Sequence, residues 1–203
     1  MDFLVTGPHA GPTLVLAHGA GGAMDSPWLQ QFASLLSDRG IRTARFEFAY
    51  MAARRQGLRR AAPKAELVLD EYRAAVAELP GPLVIGGKSY GGRVASMVAD
   101  ELGVAGLVCL GYPFHPPGKP QQTRTAHLAG LRTPTLICQG TRDVFGTVDD
   151  VAGYELSPSI RVHWLDDGDH DLSPRKGVTG RTKDQNLGEA ADAVAAFVRS
   201  AAA

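Results

Sequence analysis

Leu83–Arg93 reads Leu-Val-Ile-Gly-Gly-Lys-Ser-Tyr-Gly-Gly-Arg, and its reading decides the fold. The apolar run Leu83-Val84-Ile85 has the composition of a buried strand. After the glycines, Val94, Met97, Val98 and Leu102 recur at helical spacing. Strand, G-x-S-x-G and helix in that order is the setting in which a serine is exposed on a sharp turn as a nucleophile. Gly87 and Gly91 flank Ser89 where a Cβ would collide with neighbouring backbone. The same turn places Ser89 at the amino end of a helix, whose free N–H groups favour developing negative charge. A phosphate-binding loop ending in Gly87-Lys88-Ser89 would need a glycine at position 82, which is Pro82.

The flanking chain predicts strands alternating with helices. Strands are expected at 2–6, 13–17, 41–48, 106–110, 135–139 and 160–165, mostly as continuous apolar runs. Helices are expected after Ser26-Pro27, after Pro63, over 149–156, and at the carboxyl end through Leu187, Ala191, Val194 and Phe197. Residues 50–62 read as a connection, 111–122 as a proline-rich loop and 173–184 as a polar stretch. This alternation predicts an α/β protein: a mostly parallel twisted sheet with helices on both faces, in one domain over residues 1–203.

Bulk properties narrow the function. Lys+Arg and Asp+Glu both total 21, so no polyanion such as nucleic acid is implied as a partner. No apolar run reaches membrane-spanning length, and Met1-Asp2-Phe3 lacks a secretory pattern. Cys109 and Cys138 lie in apolar runs and read as buried free thiols, so a cytoplasmic protein is expected.

A serine hydroxyl needs a general base within hydrogen-bond reach, best a histidine oriented by a carboxylate. In open parallel sheets such groups converge beyond the carboxyl ends of strands. Asp143 follows the strand 135–139, and His170 follows the strand 160–165. The order Ser89, Asp143, His170 is that of a strand-borne serine triad. Asp166 and Asp167 are alternatives to Asp143 as the orienting acid. An oxyanion hole needs two N–H donors, and losing one typically costs about 3 kcal/mol of transition-state stabilisation. Tyr90, after the nucleophile, supplies the first. Ala20, in His18-Gly19-Ala20-Gly21-Gly22, is the choice for the second, with Gly21 as the fallback.

These residues resemble the α/β-hydrolase superfamily over almost the whole chain, at the scale of dienelactone-hydrolase-like esterases. Gly87–Arg93 and Leu110–Pro120 more closely resemble a predicted-hydrolase branch of unassigned substrate. Some relatives in that branch sit in large assemblies, including a chromatin-acetylating complex. The resemblance implies an α/β-hydrolase fold and an esterase-like activity; no cofactor is expected. Only 111–134 separates two strands where many relatives insert a lid domain, so an open site for short or extended acyl groups is expected. The expectation is a serine hydrolase acting on a small-molecule ester or thioester. The alternative is a non-catalytic binding or assembly module of the same fold.

Other residues carry weaker signals. Gly21, Lys88 and His115 are candidate substrate contacts, while His18 reads as a structural hydrogen-bonder behind the oxyanion loop. His9, His127 and His163 read as surface or packing residues. Arg54, Arg55, Arg59 and Arg60 read as a solvated loop. The acidic run around His170 fits neither an EF-hand nor a zinc motif, so no metal is expected. Gly19-Ala20-Gly21 is not a dinucleotide fingerprint, because Met24 stands where its last glycine belongs.

Overall fold

A computed structural model describes all residues from Met1 to Ala203. Seven strands form one sheet: β1 (Leu4–Thr6), β2 (Thr13–Ala17), β3 (Arg42–Phe46), β4 (Leu83–Lys88), β5 (Gly106–Leu110), β6 (Thr135–Gly140) and β7 (Ile160–Leu165). Their spatial order is β1-β3-β2-β4-β5-β6-β7. Only the edge pair β1–β3 is antiparallel; every other pair is parallel. The helices are α1 (Pro27–Ser37), α2 (Ala49–Arg55), α3 (Leu69–Ala77), α4 (Tyr90–Leu102), α5 (Val148–Ala152), α6 (Lys176–Thr179) and α7 (Lys183–Ala201).

Alternate strand residues feed two apolar layers, as a pleated sheet covered on both faces requires. Val15, Ile85, Leu107 and Ile137 pack with Tyr72 and Ala75 of α3 and Val94, Val98 and Ala99 of α4. Leu14, Val84, Val108 and Leu136 pack instead with Phe32 and Leu36 of α1 and Leu187, Ala191 and Val194 of α7. Cys109 and Cys138 are buried free thiols in opposite layers. Burial pushes both thiols up, Cys138 to about 12.

Tyr72 ties α3 to the sheet with its polar end. Its hydroxyl donates to the Gly86 carbonyl at 2.7 Å and accepts from the Gly86 N–H at 2.9 Å, in full burial. A Cβ at Gly86 would stand 2.1 Å from the Val108 carbonyl oxygen, so the central strands meet where only glycine fits.

Several elements depart from the sequence reading. The expected connection 50–62 begins as a helix, since residues 50–55 belong to α2. The helix after Pro63 starts as a 3-10 turn at Ala65–Leu67 and becomes regular only at Leu69. The helix expected over 149–156 ends at Ala152, and a single turn, α6, interrupts the polar stretch 173–184. Ser26 sits at the N-cap of α1 without a side-chain cap bond, so Pro27 alone marks that start. The capping boxes fall elsewhere: Thr147 with Asp150 on α5, and Thr182 with Gln185 on α7. Arg45 of β3 is buried, and its guanidinium donates to the Met24 carbonyl and to Thr6 Oγ1. No lid domain follows β5, and no helix is long and apolar enough to cross a membrane.

Candidate active site

Ser89 joins β4 to α4 with φ 49° and ψ −111°, a conformation sterically costly for a residue with a Cβ. Its neighbours enforce it. A Cβ on Gly87 would stand 2.5 Å from the Gly91 carbonyl carbon, and one on Gly91 would stand 2.6 Å from the carbonyl oxygens of both Ala17 and His18. The two glycines let α4 fold back against β2 and β4, which turns Ser89 outward beyond the sheet.

Asp143 and His170 reach the same point from the loops after β6 and β7. His170 Nδ1 lies 2.8 Å from Asp143 Oδ2, and His170 Nε2 lies 2.8 Å from Ser89 Oγ. An ionised carboxylate only accepts, so Nδ1 carries the proton and Nε2 is free to accept from the serine hydroxyl. Asp143 is fully buried and must be satisfied by donors. It also receives the Phe145 N–H and the Gln139 Nε2 amide, each at 2.9 Å. The Phe145 ring lies 4.2 Å from the His170 ring, centre to centre. Asp166 and Asp167 take no part. Asp167 pairs with Arg175, which holds its carboxyl well below the usual carboxylate range.

The loop after β2 passes beside the nucleophile, since a Cβ on Gly19 would lie 4.0 Å from Ser89 Cβ. Its carbonyls are held from behind. His18 Nδ1 donates to the Gly19 carbonyl at 2.7 Å, while Nε2 accepts the Phe48 N–H at 3.1 Å. The Tyr50 hydroxyl and Arg54 Nη1 donate to the Ala20 carbonyl at 3.3 and 3.2 Å. Ala20 borders the cleft together with Ser89 and Tyr90. The N–H of Tyr90 opens α4, where no carbonyl a turn earlier can satisfy it.

Lys88 is ion-paired. Its ammonium donates to the His170 carbonyl at 2.6 Å, lies 3.3 Å from Asp171 Oδ1, and sits over the Trp28 ring. Burial draws its pKa below the ordinary lysine value, against the opposing pull of Asp171. Trp28 Nε1 donates to the Asp171 carbonyl at 3.0 Å, so two side chains grip the loop that carries His170.

The cleft has two lobes that share Ser89, Ala20 and Phe145. The first, about 550 Å³, is lined by Glu66, Arg93, Arg124, Pro63 and Pro113 among others. The second, about 350 Å³, is lined by Gly21, Trp28, Leu29, Lys88 and His170. Gly21 and Lys88 therefore border the cleft as expected of contact residues, and His115 does not. The His115 ring is buried, donating from Nδ1 to the Pro116 carbonyl with Nε2 3.4 Å from Asp150, so it braces the proline-rich loop from within.

Sequence reasoning missed Gln139, Tyr50, Arg54 and Arg124. Gln139 is the most informative: wholly buried at the end of an apolar strand, it also bonds the Tyr112 N–H and carbonyl. A polar residue ending an apolar run four positions before the acid was the available signal. Arg55 pairs with Asp25 and Glu47, whereas Arg59 and Arg60 are exposed. His127 bonds Ser96 Oγ at 2.8 Å, His163 lies 3.3 Å from Glu189, and His9 is exposed.

A mostly parallel sheet, a serine on a strained strand–helix turn and an uninterrupted β5–β6 connection define a lidless α/β-hydrolase fold. The family described as alpha/beta hydrolase domain matches residues 10–199, and the chain belongs to it. Its fold is similar to that of an alpha-beta serine hydrolase homologue from Coxiella burnetii, with TM-score 0.70 and 18% identity over 96% of this chain and 90% of that one. It is also similar to a lidless serine hydrolase from Xanthomonas campestris, with TM-score 0.68 and 18% identity over 98% and 88% of the two chains. An esterase domain from Rhodothermus marinus gives TM-score 0.69 and 16% identity over 98% and 92%.

Proposed function

We propose that this protein is a serine hydrolase that cleaves a small-molecule ester or thioester through an acyl-enzyme. The observation that carries this reading is the unbroken relay Asp143–His170–Ser89, with both links at 2.8 Å. Ser89 Oγ attacks the acyl carbon as its proton passes to His170 Nε2. The charge that develops on the carbonyl oxygen is held by the N–H groups of Tyr90 and Ala20. Collapse expels the alcohol or thiol, which takes the proton from His170, and leaves Ser89 acylated. Water then attacks the acyl-enzyme with His170 again as base, releasing the acid and restoring the serine. Asp143 keeps the proton on Nδ1 and stabilises the imidazolium that forms at each stage. The relay needs no cofactor.

The open cleft suits an accessible acyl group, in keeping with the absence of a lid. No particular observation favours a purely structural module, since the strained Ser89 conformation and the buried Asp143 would both be costly without chemistry to perform. The test is intact-mass labelling of purified protein by a fluorophosphonate probe, with Ser89→Ala as control. A single adduct on the wild type and none on the variant is expected. A folded wild type that stays unlabelled between pH 6 and 9 would overturn the reading.

A further inference from the structure

We infer that the substrate carries an oxyanion group, a carboxylate or a phosphate, and that Arg93 and Arg124 hold it in the larger lobe beside Ser89. The inference rests on the serine-hydrolase reading for the position of the scissile bond, and on the lobe itself for the anion.

The two lobes differ in charge. In the smaller one, Lys88 is matched by Asp171, and what remains beyond the serine and histidine is Ser26, Trp28, Leu29 and glycine backbone, with no unmatched charge. In the larger one, Lys64, Arg93 and Arg124 face a single carboxylate, Glu66. Arg93 Nη2 donates to Glu66 Oε1 at 2.7 Å, and its Nε is buried with no partner. The guanidinium of Arg124 is half-buried and makes no ion pair or hydrogen bond with the protein; its neighbouring charges include that of Arg93. Two partly desolvated guanidiniums in one lobe, only one of them paired with a carboxylate, repel each other. A ligand oxyanion would relieve that repulsion and fit the planar donor fork of arginine. Arg124 has a structural reason to be near: its carbonyl accepts the Tyr112 hydroxyl at 2.9 Å and its N–H donates to the Phe114 carbonyl at 2.7 Å. Its side chain is left free to serve a ligand. The geometry therefore predicts a two-part substrate, with its apolar part against Trp28 and its anion between the arginines.

Two ester pairs test this in turnover. One pair sets 4-nitrophenyl hemiglutarate against 4-nitrophenyl pentanoate, placing the anion on the acyl side. The other sets 4-acetoxybenzoate against 4-acetoxybenzamide, placing it on the alcohol side. At least a tenfold preference in kcat/KM for the anionic member of one pair is expected. Arg124→Gln should cut that preference about tenfold or more, Arg124→Lys should keep part of it, and Glu66→Gln should increase it. Neutral and anionic esters cleaved alike, or a preference indifferent to Arg124→Gln, would overturn the inference and leave the hydrolase reading intact. A second readout needs no turnover: glutarate or methyl phosphate should raise the Tm of Ser89→Ala, and glutaramide should not. Which anion stabilises more tells carboxylate from phosphate. If no ester is cleaved and no probe adduct forms, the hydrolase reading fails and this shift alone decides: stabilisation lost in Arg124→Gln upholds the anion site, and no stabilisation by either anion removes it.

Discussion

Single atoms decide this site. Gly91 has no room for a methyl group, because the carbonyl oxygens of Ala17 and His18 would both lie 2.6 Å from it and neither can move without shifting β2. Gly91→Ala is therefore expected to destabilise the fold by about 3 kcal/mol or more, as an overpacked contact against backbone. Urea unfolding would measure it, and a loss below about 1 kcal/mol would mean that the elbow has slack. Gln139 makes the complementary case. Its amide bonds the Tyr112 N–H, the Tyr112 carbonyl and Asp143 at once, all buried. Gln139→Leu keeps the size and strands those groups, so a stability loss of about 1–3 kcal/mol is expected. If Gln139 positions Asp143, kcat should fall while KM changes little, and Gln139→Glu should fail to restore kcat because it sets a second carboxylate beside the first. Equal kcat in Gln139→Leu and wild type would confine Gln139 to a packing role.

At the scale of elements, the legible parts were those written in periodic apolar residues. The strands declared themselves as short apolar runs, and Ser89, Asp143 and His170 followed because each stands just past such a run. Helix α2 did not, for a physical reason. Of Ala49–Arg55 only Tyr50 and Met51 are buried, so no apolar stripe marks it, and Phe48 at its start offers no side-chain cap. What this element does is equally hidden in the sequence: Tyr50 and Arg54 reach across to the Ala20 carbonyl, a tertiary contact between segments some thirty residues apart. Arg124 was missed because its meaning lies in its having no partner, which spacing cannot reveal. The α2 grip makes a prediction of its own. On the proposed mechanism, in which the loop's N–H groups act on the transition state, Arg54→Ala should lower kcat several-fold with KM nearly constant. Arg54→Lys should recover part of the loss. An unchanged kcat in Arg54→Ala would reduce that contact to decoration of the rim.

Across the whole molecule, acid sensitivity should trace to histidines that are wholly or partly buried. Burial lowers the pKa of His18, and likewise that of His127, below the ordinary histidine value. The unfolded chain then binds protons that the folded chain refuses. Stability from these groups is fully present above about pH 6.5 and is lost as the pH falls toward the depressed folded values, by up to about 1.4 kcal/mol per pH unit for each proton taken up. For His18 the hydrogen bonds give the same sign independently: Nε2 accepts the Phe48 N–H, so protonating it would set donor against donor in a buried site at the loop after β2. Protonation of His18 would thus loosen β2's exit and the start of α2 together. His18→Gln can still offer an acceptor but cannot titrate. It should be less stable than wild type at pH 8, by about 1–3 kcal/mol for imperfect bonding, and its decline between pH 7 and 5 should be shallower. Denaturant unfolding at a series of pH values separates the two effects, one as an offset and the other as a slope. Parallel curves for variant and wild type would show that His18 does not couple this fold to acid, and would leave His127, bonded to Ser96 of α4, as the group to replace next.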